Sequence, residues 1–204
     1  MTLVEIRPPE YDIVTDIAYA TPRNITGKPV YARAGCYLHR AAAEKLQLAI
    51  AIARPFGLKL KIFDAFRPSE AQWVLWKAKP DPNFLADPRK GSPHSRGVAL
   101  DLTLIDSAGR DLDMGTPYDA FTPLSYHGVT NGIGVEAQRN RLVLLGIMTS
   151  AGWDFYRNEW WHYQLFNARS YPLIADSALS EGLMGRQESG VRIQESAKAT
   201  AFAT

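Results

Sequence analysis

The sequence predicts an α+β fold, a small and mainly antiparallel sheet with helices packed on it. Three observations predict it. Leu58 to Phe63 and Val98 to Leu104 alternate apolar residues with others at the period of a strand. Segments rich in Ala and Leu, residues 40–54 and 136–151, repeat at helical spacing. The aromatic run from Trp153 to Phe166 reads as a closing pair of strands. With 204 residues, 46% of them hydrophobic, the chain can bury one core without staples. A single domain is expected over residues 1–176.

Taken in order, the first helix spans residues 40–54, with Leu46, Ala49, Ile50 and Ala53 facing the core and Pro55 and Gly57 ending it. His39 stands at its head. The strand over Leu58, Leu60 and Ile62 runs into Asp64-Ala65-Phe66-Arg67-Pro68, where strand becomes loop. Ser69 then opens SEAQWVLW, and Gln72 completes a capping-box signature for a helix that points Trp73 and Trp76 inward. Proline, aspartate and glycine make residues 78–93 a long irregular segment, the kind of loop that carries function. In the next strand Val98, Leu100, Leu102 and Leu104 share one face, and the small, polar face opposite holds Asp101. A second irregular stretch, 106–134, leads to the helix of 136–151, with Leu142, Leu145 and Met148 inward and Gly152 as its cap. WDFY and EWWHYQLF pair across a turn at Arg157-Asn158, and residues 177–204 read as a weakly packed tail.

Charge and cysteine content narrow the function. Twenty-three basic and 21 acidic side chains leave a net +2 with no basic cluster, which speaks against nucleic acid as a partner. The lone Cys36 can form neither an internal disulfide nor a thiolate cage, so a metal would need His and carboxylate ligands. Two prolines and several charges near the N-terminus interrupt any secretory leader, and no apolar run is long enough to span a bilayer. A soluble, cytoplasmic protein without membrane partners is expected, so the Asn24-Ile25-Thr26 sequon carries no weight.

There are only four histidines, His39, His94, His127 and His162, so His-based sites can be enumerated. The His-Glu-x-x-His helix, the Gly-x-Ser-x-Gly elbow and the P-loop are all missing. His94 lies seven residues before Asp101, and His162 lies three after Glu159. Taken singly, a histidine beside a proline, an aspartate in a strand and a Trp-Trp-His-Tyr strand are all ordinary. Together, two histidines and a carboxylate form a three-ligand set with a fourth position open, the arrangement of a catalytic zinc. Fully extended, residues 94 to 101 would span roughly 23 Å at about 3.3 Å per residue, so the chain must double back, and Gly97 is the place for it. Positions three apart in a strand face opposite ways, so Glu159 is expected on irregular backbone at the strand entry, where it can act as a base.

These residues resemble a known family. SPHSRGVALD is similar to the Ser-x-His-x-x-Gly-x-Ala-x-Asp motif, and EWWH to the Glu-x-x-Trp-His motif, of the VanX-type zinc D-alanyl-D-alanine dipeptidases of bacterial cell-wall metabolism. YATPRNITG, AFRP, DLTL and NEWWHYQL extend the likeness over roughly residues 15–172. The resemblance implies an architecture shared with hedgehog-like domains and one zinc held by His94, Asp101 and His162. It implies Glu159 as catalytic base and Arg67 as the group that stabilises the tetrahedral intermediate. It further implies Asp119, with Tyr19 nearby, as the holder of the substrate's ammonium, and Ser92 in a substrate-positioning role. The implied reaction is hydrolysis of D-Ala-D-Ala to two D-alanines by a zinc-activated water. A zinc D,D-carboxypeptidase or endopeptidase acting on longer cell-wall peptides is the first alternative, and a silent metal-binding domain is the second. Glu159 and Arg67 argue against the silent domain, which would need neither.

Overall fold

The computed structural model of the chain describes residues 3–185. Its strands are β1 (Leu3–Glu5), β2 (Ile13–Thr15), β3 (Tyr37–His39), β4 (Lys59–Asp64), β5 (Ala99–Ile105), β6 (Asp154–Phe155) and β7 (His162–Gln164). The helices are α1 (Arg40–Ala53), α2 (Ser69–Ala78) and α3 (Val135–Ser150). Five strands form one sheet in the order β2-β4-β5-β7-β6, and β1 pairs with β3 in a second, two-stranded sheet. Only β2 and β4 run parallel, so the architecture is the mainly antiparallel α+β arrangement read from the sequence. Among the described residues no helix is long and apolar enough to cross a membrane.

β5 is the axis of the molecule, buried along its whole length. Leu100, Leu102 and Leu104 join Leu46, Ala49 and Ala53 of α1 and Leu144 and Met148 of α3 in the hydrophobic core. The opposite face turns Asp101 and Thr103 inward, both 2% exposed. Register then sets the chemistry. Ile62 pairs with Leu102, but a bulge skips Phe63 and pairs Asp64 with Asp101, which in turn pairs with His162. Residues directly opposite one another in a sheet share a face, so the bulge brings Asp64 onto the face that carries Asp101 and His162.

The helices differ from the sequence reading in three ways. Pro68, not Ser69, occupies the N-cap of α2, and no side chain caps it. Ser69 Oγ donates instead to Ile174 O, and Gln72 is drawn inward. The buried face of α2 is Ala71, Gln72 and Leu75, which leaves Trp73 42% exposed and Trp76 half-buried. In α3 the buried stripe runs through Ala137, Asn140, Arg141, Leu144, Ile147 and Met148, so Leu142 is 66% exposed. A polar pair displaces the leucine there because Asn140 and Arg141 find carbonyl partners in the 106–134 segment. His39 does head α1, its Nδ1 accepting from Ala41 N.

The chain beyond 176 is packed for longer than its composition predicts. Asp176 accepts the N–H groups of Leu183 and Met184, Ala32 N donates to Leu183 O, and Leu183 is fully buried. These anchors replace the missing hydrophobic period. Residues 186–204 of the expected tail lie outside the described residues.

Candidate metal centre and active site

Three buried side chains converge at the ends of β5 and β7. His94 sits in a short 3-10 turn, His94–Arg96, that closes on Gly97 at φ +68° and feeds the chain into β5. This is the reversal the spacing demands. Ser92 Oγ accepts the His94 N–H and helps to set the turn. His94 Nε2, His162 Nδ1 and Asp101 Oδ1 form a triangle with edges of 3.1, 3.1 and 3.2 Å.

The outer nitrogens decide what that triangle holds. His94 Nδ1 lies 2.7 Å from Ala65 O and His162 Nε2 lies 3.1 Å from Gln164 Oε1, contacts that favour the tautomer with the proton on each outer nitrogen. Each inner nitrogen then presents a lone pair, facing the other and a carboxylate oxygen. Three electron-rich atoms at this separation repel one another unless a cation, a proton or a metal ion, sits between them. Ligands about 2.0–2.2 Å from a tetrahedral ion lie roughly 3.3–3.6 Å apart. The observed edges are within a few tenths of an ångström of that, so the residues present fit a metal ion. Asp101 Oδ2 is taken by Tyr118 OH at 3.0 Å and Arg67 Nη2 at 3.3 Å, which leaves Oδ1 as the single inward donor.

Glu159 approaches from the same side. The turn before β7, with Glu159 N bonded to Tyr156 O and His162 N to Glu159 O, brings residues three apart onto one face. Glu159 Oε2 lies 3.8 Å from His162 Nδ1, and the side chain is buried. Burial, with the carboxylates of Asp101 and Asp119 nearby, pushes its pKa well up, while Arg67 pulls it down. A cation at the triad would also pull it down.

Arg67 is fixed on three sides and stacked on a fourth. Nε donates to Asp64 Oδ2 at 2.8 Å, Nη1 to Gln72 Oε1 at 3.0 Å and Nη2 to Asp101 Oδ2, with the Tyr19 ring 4.7 Å from the guanidinium carbon. A guanidinium carries five N–H donors, so one on each Nη is left outside these three bonds, and Arg67 lines the cavity of the site. Asp64 is itself held by Tyr31 OH at 2.9 Å.

Tyr19 OH donates to Asp119 Oδ1 at 3.3 Å, while Asp119 Oδ2 is shielded from solvent and has no partner among the described residues. Asp119 adopts φ +58°, in a region that a non-glycine residue rarely occupies. Burial raises its carboxyl to about 7, with the Asp101 charge adding to the rise. Tyr19, Arg67, Ser92, His94, Asp101, Asp119, Glu159 and His162 all line one cavity of about 930 Å³. The fold thus brings together every residue that the sequence nominated. His39 and His127 are elsewhere, the first capping α1 and the second packed on Phe155.

The sequence reading missed Asp64, Gln72, Tyr118 and Gln164, which hold the nominated residues in place. Asp64 could have been suspected from its place in FDAFRP. The other three carry no motif of their own: Gln164 and Gln72 lie only two and five residues from the side chains they hold, but neither spacing signals a contact, and Tyr118 meets Asp101 from another segment.

The D-ala-D-ala dipeptidase family matches residues 2–179. The chain is 47% identical over 165 residues to a D-alanyl-D-alanine dipeptidase of Escherichia coli, covering 81% of this chain and 85% of that one. It is 35% identical to the D-alanyl-D-alanine dipeptidase of Enterococcus faecalis, covering 77% and 87%, and 33% identical to that of Streptomyces coelicolor, covering 74% and 84%. The match runs through both motifs and the turn that bears Arg67, and on it the chain belongs to the D-ala-D-ala dipeptidase family of peptidases.

Proposed function

We propose that this peptidase hydrolyses free D-alanyl-D-alanine to two D-alanines, with one zinc ion held by His94, Asp101 and His162. The observation that carries the reading is a pairing within one cavity: a triangle of lone pairs beside a buried Glu159, and a carboxylate oxygen on Asp119 without a partner. Zinc at the triangle would supply Lewis-acid polarisation of the scissile carbonyl and lower the pKa of water to near 7.

The side chains do the rest. Glu159 takes the proton of the attacking water and later delivers it to the leaving amine, so that it ends each cycle as it began. The two free N–H groups of Arg67 meet the oxygen that becomes negative, and Asp64, Gln72 and Asp101 hold the guanidinium without reorganisation. Asp119 Oδ2 and Tyr19 take the substrate's ammonium, and Ser92 contributes from the wall beside His94. An ammonium there would draw the Asp119 carboxyl back below about 7 and keep it ionised.

A carboxypeptidase acting on longer chains would bring an amide, not an ammonium, to Asp119, and would leave the orphan oxygen facing no positive charge. The catalytic unit is one domain whose packing reaches Leu183, and the cytoplasm is its proposed location, testable by fractionation. The deciding experiment measures alanine release from D-Ala-D-Ala, L-Ala-L-Ala, N-acetyl-D-Ala-D-Ala and an N-acetylated tripeptide ending in D-Ala-D-Ala. Release from the free D,D-dipeptide alone is expected. Comparable cleavage of acetylated and free substrates would replace the dipeptidase reading with the carboxypeptidase one.

A further inference from the structure

Residues 106–134 form no strand of the main sheet and no α-helix, yet they carry two groups that reach the site, Tyr118 and Asp119. What fixes this loop comes from α3. Arg141 donates from Nε to Met114 O at 2.7 Å and from Nη2 to Thr116 Oγ1 at 3.3 Å, and from Nη1 to Leu124 O at 2.8 Å and Tyr126 O at 3.2 Å. One guanidinium therefore grips the chain on both sides of Tyr118-Asp119. Asn140 adds a bond to Asp113 O, and Trp160, next to Glu159, donates to Thr116 Oγ1 at 2.8 Å.

The cost of this arrangement suggests a purpose. Arg141 is 4% exposed, and among the described residues no carboxylate lies within ion-pair distance of it. Its charge is spent on carbonyl and hydroxyl oxygens, and burial draws its pKa down to about 10, against a weak opposing pull from Asp113. At the apex of the gripped loop Asp119 holds a rare backbone conformation with Oδ2 unpartnered. Strain and a shielded, unpaired oxygen persist only where the surroundings over-determine them.

We infer that Arg141 is a positioning residue for the substrate's ammonium: it clamps residues 114–126 so that Asp119 Oδ2 stays ready to receive a cation. The inference rests on the dipeptidase reading. Arg141 touches no reacting group, so its effect runs through the clamped loop: a path through Asp119 falls on binding, whereas one through Tyr118, which holds Asp101, would fall on zinc content. Lysine at 141 keeps the charge but cannot reach both sides of the loop.

The test uses the zinc-loaded full chain with Arg141→Lys, Asp119→Ala and the double variant, plus Thr116→Val, which removes one arm of the clamp while keeping Arg141. Arg141→Lys is expected to raise KM for D-Ala-D-Ala about tenfold at near-unchanged kcat and zinc content, and to narrow the preference for free over N-acetylated dipeptide. Added to Asp119→Ala it should do almost nothing more, as for residues acting through one another. Thr116→Val should show the same pattern more weakly, and it carries the test if Arg141→Lys fails to fold. Additive losses in the double variant, or losses confined to kcat, would overturn the inference and leave the dipeptidase reading intact. Equal cleavage of free and acetylated substrates by the unaltered enzyme would end that reading and the inference with it.

Discussion

Glu159 and His162 are three residues apart and do different work. Glu159 Oε2 stands 3.8 Å from His162 Nδ1, outside the triangle of 3.1 and 3.2 Å edges, so its loss should spare the metal. Glu159→Gln is expected to keep stoichiometric zinc while kcat falls by about 10²–10⁴-fold, the range for losing a positioned acid or base. Metal analysis beside steady-state kinetics checks it, and zinc lost from a folded variant would make Glu159 a ligand. His127 gives a prediction of another kind. Its Nε2 is buried without a partner among the described residues, and burial, with the Arg141 charge adding, lowers its pKa to about 4. Below about 6.5 the unfolded chain takes up a proton that the folded one refuses. The His127 contribution to stability is therefore present above about 6.5, declines as pH falls toward about 4 and levels off below. Denaturation midpoints of the protein and of His127→Gln between pH 7 and pH 4 should converge as the medium is acidified. At this scale the site was legible because its donor types are scarce: four histidines and a few well-spaced carboxylates leave little choice. Gln72 and Arg141 were not legible. A glutamine in a capping-box pattern and an arginine in a helix read as local or solvated groups until the Arg67 guanidinium and carbonyls of other segments come to meet them.

Among the elements, the turn between His94 and β5 carries the tightest constraint. A Cβ on Gly97 would lie 2.6 Å from Leu3 Cδ2 and 3.1 Å from the backbone nitrogen of His39, at φ +68°. Gly27 has almost the same φ, +67°, with nothing within 4 Å of the added carbon. Gly97→Ala should therefore destabilise beyond the strain of about 1 kcal/mol or more that Gly27→Ala suffers alone. It should also weaken zinc binding, because the turn that moves carries His94. Chemical denaturation of both variants, with and without zinc, separates the shared backbone strain from the close approach. Equal losses would mean that Leu3 and His39 simply give way. The period of the sequence located α1, β4, β5 and α3 well, because one apolar face against one core is a strong signal. It did not tell which side of α2 and α3 the buried stripe favours. Trp73 and Leu142 are apolar but exposed, since the inward places went to Gln72, Asn140 and Arg141, whose hydrogen bonds no hydrophobic pattern records. Nor could it locate the bulge in β4, which comes from the pairing of two strands.

For the molecule as a whole, metal and fold are coupled, because the donors lie on a 3-10 turn and two strands that meet only when the central sheet is assembled. A ligand that binds only the folded chain stabilises it by about 2.7 kcal/mol at a hundred times its dissociation constant. Removing zinc with a chelator should lower the melting temperature, and adding zinc back should restore it. His162→Ala should melt at the same temperature with or without chelator, and a chelator shift that survived in that variant would place the metal elsewhere. The order of the donors along the chain also bears on how the protein is born. His94 and Asp101 leave the ribosome together, and His162 follows about sixty residues later, a delay of roughly 3–12 s at about 5–20 residues per second. Until then the nascent chain offers an ion only two of its three donors. The donor that completes the set emerges just after Glu159, so no unfinished chain can hold the metal by all three ligands before the base that uses it has been made.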